Sequence, residues 1–75
     1  MKQGFIGFGN LAKAVYLGLK EEKNIEFSYY SRSKKDIDIH FHKTLEQLVS
    51  EVDIIWITVK PQDLGSVLEN LRHLN

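Results

Sequence analysis

Hydrophobic and polar positions along the chain follow two periods, short apolar runs and stretches spaced three to four residues apart. Gln3-Gly4-Phe5-Ile6 reads as a first strand, cut off by Gly7 and Gly9. From Asn10 the spacing becomes helical. Leu11, Ala14, Val15, Gly18 and Leu19 fall on one face, with Lys13, Lys20 and Glu21 elsewhere. Asn10 is placed to cap the free N–H groups of that helix. Gly18 is predicted to let a neighbouring element come close. After a turn at Lys23-Asn24, Ile25 to Tyr30 forms a second strand, followed by the polar, basic loop Ser31-Arg32-Ser33-Lys34-Lys35.

The alternation over Ile37 to Phe41 predicts a short third strand near a sheet edge. Thr44 can cap a brief helix whose inward positions are Leu45, Leu48 and Val49. Asp53 to Val59 (DIIWITV) is almost continuously apolar and suits a parallel strand covered on both faces. Lys60-Pro61 ends it, and Leu64, Val67, Leu68 and Leu71 mark a final amphipathic helix. This order predicts an α/β partial Rossmann fold. Its parallel sheet has about four strands in the order 3-2-1-4, with helices on both faces.

Charge and cysteine content narrow the function. Ten Lys and Arg balance ten Asp and Glu, so any anion site must be local, and neither nucleic acid nor a membrane surface is an expected partner. The absence of cysteine removes disulfides, thiolate metal sites and a cysteine nucleophile. Met1-Lys2-Gln3 runs straight into an apolar strand without a signal-peptide pattern. No apolar run approaches the ~20 residues of a membrane span. A cytoplasmic protein is expected. At 75 residues the chain holds one small core. Residues 1–75 are therefore read as one domain, or as part of a larger one.

Gly7-Phe8-Gly9-Asn10-Leu11-Ala12 fits the G-x-G-x-x-G/A dinucleotide fingerprint, in the strand-to-helix context it requires. Gly7 permits the tight turn and Gly9 lets a pyrophosphate approach the backbone. Ala12 lets the helix pack closely on the sheet. The phosphates would sit on free N–H groups at the positive helix end. NAD-binding versions end the second strand with an acidic residue that holds the ribose 2′-hydroxyl. Here Tyr29-Tyr30-Ser31-Arg32-Ser33-Lys34-Lys35 carries no carboxylate before Asp36. Its hydroxyls and cations suit a 2′-phosphate, and Arg32 could stack on adenine, so NADPH is expected to be preferred over NADH. Val59-Lys60-Pro61-Gln62 closes the long apolar strand beside the topological switch point. Spacing alone leaves that loop either as a cofactor wall or as a plain strand-to-helix junction.

Other candidates carry less. His40 and His42 would share a strand face, but with no third ligand close in sequence they are expected to be surface or half-buried residues, and no metal site is assigned. Trp56 is expected in the core. Tyr29 and Tyr30 point to opposite faces, so at most one can line an adenine pocket. No GxSxG, HExxH or Walker lysine is present.

GFIGFGNLA, the SRS stretch and DIIWITVKPQDL together resemble the N-terminal domain of pyrroline-5-carboxylate reductases. Those enzymes make proline by NAD(P)H-dependent reduction of an imine. The resemblance covers essentially the whole chain. It implies that Gly7, Phe8, Gly9, Asn10 and Leu11 hold the pyrophosphate, and that Ser31, Arg32 and Ser33 hold the 2′-phosphate. Val59, Lys60 and Pro61 would line the approach to the nicotinamide. The family's helical C-terminal domain, which carries the substrate pocket and makes the dimer, has no counterpart here. No catalytic residue is therefore assigned, and the chain alone is expected to bind cofactor weakly without catalysis. Self-association is expected through the exposed edge of the Asp53–Val59 strand or through the last helix. Two rivals are another NADP-dependent reductase or dehydrogenase of the same superfamily, and a non-catalytic nucleotide-binding or interaction module.

Overall fold

A computed structural model describes residues 1–74. The chain runs β1 (Lys2–Ile6), α1 (Asn10–Leu19), β2 (Glu26–Tyr30), β3 (His40–His42), α2 (Leu45–Glu51), β4 (Ile54–Ile57) and α3 (Pro61–Arg72). The four strands form one parallel sheet in the order β3-β2-β1-β4, as the pattern predicts.

Strand parity sorts the side chains into two layers. Phe5 pairs with Tyr29 and Trp56, and Tyr29 with Phe41, so one face is aromatic. Phe5 and Tyr29 are fully buried there with Phe8 and Ala12, and Val15, Tyr16, Ile37 and Ile39 pack around them. The rings meet edge-on or tilted at 5.2–5.3 Å for Phe5–Phe8, Phe8–Tyr29, Tyr16–Phe27 and Tyr29–Phe41. The opposite face carries Gly4, Ile6, Ser28 and His42 and is covered by α2 through buried Leu48. Gly4 makes this approach possible, because a Cβ there would lie 2.9 Å from Val52 and 3.1 Å from Leu48.

Several local expectations are corrected. The inward stripe of α1 is Ala12, Val15, Tyr16 and Leu19, one position on from the predicted one, while Leu11, Ala14 and Gly18 are exposed. Tyr16 decides the rotation, since its ring fills the space against Phe27 and Phe8 that Ala14 could not. Nothing lies within 4 Å of a Cβ placed on Gly18, so no element approaches it among the described residues. The N-cap of α1 is Gly9, not Asn10.

β3 starts at His40, later than Ile37. The Tyr29 hydroxyl accepts from Lys35 N–H at 2.9 Å and lies 3.3 Å from Lys35 O as donor, which ties the preceding loop down before pairing begins. β4 is shorter than Asp53–Val59 and only partly covered on each face: Ile54 on the aromatic side and Ile57 on the α2 side are more than a third exposed, while Ile55 and Trp56 are half-buried. Thr44 caps α2 as expected, its Oγ1 accepting from Gln47 N–H at 3.2 Å. Pro61 opens α3, where its missing N–H costs nothing. Leu64 and Leu68 on α3 remain 39% and 48% exposed, so the predicted stripe is only partly covered.

Candidate functional site: a cleft at the carboxyl ends of the strands

Three strand ends and one uncapped helix converge at one edge of the sheet. Gly7 leaves β1 at φ 83°, a left-handed conformation that costs an L side chain about 1–2 kcal/mol. Its N–H donates to Tyr30 O at 2.7 Å, which ties the turn to the end of β2. The other side is tied to β4: Thr58 N–H donates to Ile6 O at 3.0 Å, and Thr58 Oγ1 donates to Gly7 O at 2.7 Å. A Cβ on Gly7 would meet Val59 Cγ1 at 2.8 Å, so glycine is required twice over.

Two residues on, Gly9 begins α1. Its carbonyl accepts from Lys13 N–H at 3.0 Å, but no side chain caps the helix and no acidic residue stands in the first turn. The N–H groups of Asn10, Leu11 and Ala12 therefore lack intrahelical partners at the positive end of the helix dipole. Gly9 is exposed, with open space where a side chain would stand. A bare helix end with clearance above it is what an anionic phosphate needs.

The Gly7–Gly9 corner opens onto a cleft of about 750 Å³, within the size range of small-molecule sites. Gly7, Phe8, Gly9, Ser31, Arg32, Ser33, Val59 and Lys60 line it together. Asn10, Leu11 and Pro61 stand outside its lining. Phe8 is 8% exposed and belongs mostly to the aromatic core. The Ser31 hydroxyl donates to Ser33 O, which closes a tight turn in the loop after β2. Arg32 reaches across to α3, with Nη2 3.0 Å from Asp63 Oδ1. Arg32 is 84% exposed, so this pair is worth at most about 1 kcal/mol and opens easily.

Sequence reasoning named Tyr30, Lys35 and Gln62 only as parts of candidate loops, and missed Thr58 and the contribution of α3 through Asp63 and Asn70. Gln62 and Asp63 follow Lys60-Pro61 directly, so a helix starting at that loop had to present its first turn to the same edge. The Arg32–Asp63 pair joins positions 31 apart and leaves no local trace in the sequence.

A glycine-cornered β-α-β unit with a bare helix end at the carboxyl edge of a parallel sheet defines a dinucleotide-binding domain. Residues 2–75 match the family described as NADP oxidoreductase, coenzyme F420-dependent, and the chain belongs to that family. It is also similar to a crystal structure of the Plasmodium falciparum pyrroline carboxylate reductase with NADP bound. The TM-score is 0.86 at 34% identity, over 97% of this chain and 29% of that one. No curated protein sequence matches. The expected resemblance to pyrroline-5-carboxylate reductases is borne out, and the chain is an NADP-binding oxidoreductase domain. It spans less than a third of the reductase it resembles. Among the described residues no helix is long and apolar enough to cross a membrane.

Proposed function

We propose that this domain binds NADPH in preference to NADH and holds it for reduction of a pyrroline-5-carboxylate-like cyclic imine, in proline biosynthesis in the cytoplasm. The observation that carries the reading is the uncapped start of α1 facing, across one cleft, a loop of hydroxyls and cations. The pyrophosphate would take the Gly7–Leu11 backbone, with Gly9 leaving room for its approach. Ser31, Arg32 and Ser33 would take the 2′-phosphate, with Arg32 exchanging Asp63 for it. Tyr30 and Arg32 offer flat surfaces for the adenine. Val59, Lys60 and Pro61 would border the nicotinamide, at the switch point between β1 and β4.

When bound, the cofactor supplies the hydride. The chain's own residues orient it and neutralise its phosphates, while the imine pocket belongs to residues outside this domain. The domain alone then binds cofactor and turns nothing over. We also assign self-association to the β4 edge and α3, where Ile54, Ile57, Leu64 and Leu68 are exposed. A strictly monomeric chain at high concentration in light scattering would remove that assignment.

The deciding experiment is calorimetric titration of the folded chain with NADPH and, separately, NADH. Affinity about tenfold or more in favour of NADPH is expected from one charge-assisted phosphate contact. Equal affinities overturn the preference. Binding of neither overturns the site, and favours a module that keeps the fold without the cofactor.

A further inference from the structure

His40 and His42 alternate on β3 with Phe41, which points into the aromatic layer, so both imidazoles stand on the face that α2 covers. Their ring centroids are 4.7 Å apart. Glu51, the last residue of α2, comes down beside them. One ligand atom from each of His40, His42 and Glu51 lies within 4.8 Å of the other two. His42 is 3% exposed, buried where the sequence reading put it at the surface or half-buried.

His42 Nε2 is buried without any hydrogen-bond partner. Glu51 Oε2 stands 3.3 Å from it, an ion-pair distance without hydrogen-bond geometry. Buried polar atoms are almost always partnered, so an orphan aimed at a carboxylate marks a place where something else can sit. Zinc bonds to imidazole nitrogen and carboxylate oxygen run about 2.0–2.2 Å, and two such bonds at the tetrahedral angle separate their ligand atoms by about 3.3–3.6 Å. The His42–Glu51 gap already has that length.

We propose that His40, His42 and Glu51 form a divalent-metal site, with Zn²⁺ the ion it fits, that clips the edge strand β3 to the end of α2. Two imidazoles and one carboxylate are borderline ligands of the kind that zinc takes, with a fourth position left for water. His40 is exposed and Glu51 about half-exposed, so an ion can enter from solvent. The site stands apart from the nucleotide cleft and does not depend on the function proposed above.

The test is calorimetric titration of the protein with ZnCl2, with Co²⁺ absorption as a readout of coordination geometry. His40→Gln and Glu51→Gln alter exposed side chains and leave the metal-free fold intact, which circular dichroism checks. One Zn²⁺ per chain is expected, with affinity falling about tenfold or more in each variant. The thermal midpoint of the wild type should rise by several degrees with zinc, and those of the variants should not. Tetrahedral cobalt absorption should appear in the wild type and not in these two variants. His73→Gln, at the His73–Glu69 contact of α3, should leave binding unchanged. Absence of zinc binding overturns the proposal. So does binding unaffected by His40→Gln and Glu51→Gln, or lost in His73→Gln.

Discussion

Gly7→Ala and Gly9→Ala add the same methyl group two residues apart and should have opposite consequences. At Gly7 the backbone stands at φ 83°, where an L residue carries about 1–2 kcal/mol of strain. The new Cβ would also lie 2.8 Å from Val59 Cγ1, with Thr58 O and Val59 Cα both at 3.4 Å. Valine is stiff about χ1, and Thr58 is held to Ile6 and Gly7 by hydrogen bonds, so the contact is relieved only by moving β4. Overpacking of this kind costs about 1–3 kcal/mol. Together the terms give about 2–5 kcal/mol. A domain of this size shifts its midpoint by about 4–8 °C per kcal/mol, so even the lower bound lowers Tm by about 8 °C. Gly9 has φ −101° and open space around its Cβ position, so alanine there should change Tm by no more than a few degrees. Gly9→Ala should instead weaken NADPH, because the methyl occupies the clearance above the helix end. Thermal unfolding by circular dichroism and calorimetry with NADPH measure both quantities on both variants. A Gly7→Ala midpoint within a few degrees of wild type would refute the steric argument. A folded Gly9→Ala chain binding NADPH at full strength would refute the phosphate approach.

Arg32→Ala should lower NADPH affinity about tenfold and leave NADH untouched, while Asp63→Asn, by freeing Arg32, should raise NADPH affinity up to about fivefold. Calorimetry separates the two, and equal losses for both cofactors would remove Arg32 from the 2′-phosphate. Trp56→Phe deletes the Nε1–H bond to Gln3 Oε1 at 2.8 Å and leaves a buried amide oxygen unpaired, which should cost about 1–3 kcal/mol in urea unfolding. Trp56→Phe combined with Gln3→Met should recover part of that loss, and strict additivity would deny the coupling. Burial and His40 lower the pKa of His42 below its ordinary 6.5. The unfolded chain therefore takes up this proton at higher pH than the folded one. The stability due to neutral His42 is complete above pH 6.5 and is lost as pH falls below it. Urea midpoints across that range, with chelator present, should show the loss, and a flat profile would contradict it.

The strand-and-helix order and the 3-2-1-4 sheet were legible because apolar runs, turn residues and the glycine corner agree on the same topology. The rotation of α1 was not. Counting apolar residues gives Leu11 and Ala14 the same weight as Tyr16, but it is the Tyr16 ring that packs edge-on against Phe27 and beside Phe8 in the aromatic layer. The start of β3 was hidden for a related reason: the alternation over Ile37–Phe41 is real, but Ile37 and Ile39 spend it on the aromatic core rather than on pairing. In the cleft, the parts adjacent in sequence (the Gly7–Gly9 corner, the Ser31–Ser33 loop, the Val59-Lys60 end) were readable. Those supplied by another element, such as Asp63 opposite Arg32, depend on where α3 settles.

Helix α2 links the two ends of this small fold. It begins at Leu45, which lines the nucleotide cleft, and ends at Glu51, which stands over the histidines of β3. Its middle is held by Leu48, fully buried, against the strip of β1 that Gly4 leaves bare. A helix this short has little stability of its own, so its placement depends on that contact and on the Thr44 cap. Gly4 matters for a steric reason alone: a Cβ there would lie 2.9 Å from Val52 and 3.1 Å from Leu48, so both side chains that seat α2 would have to shift. Strand parity supplies the rest. Phe41 must face the aromatic layer, so His40 and His42 must face α2, and the end of that helix brings Glu51 to them.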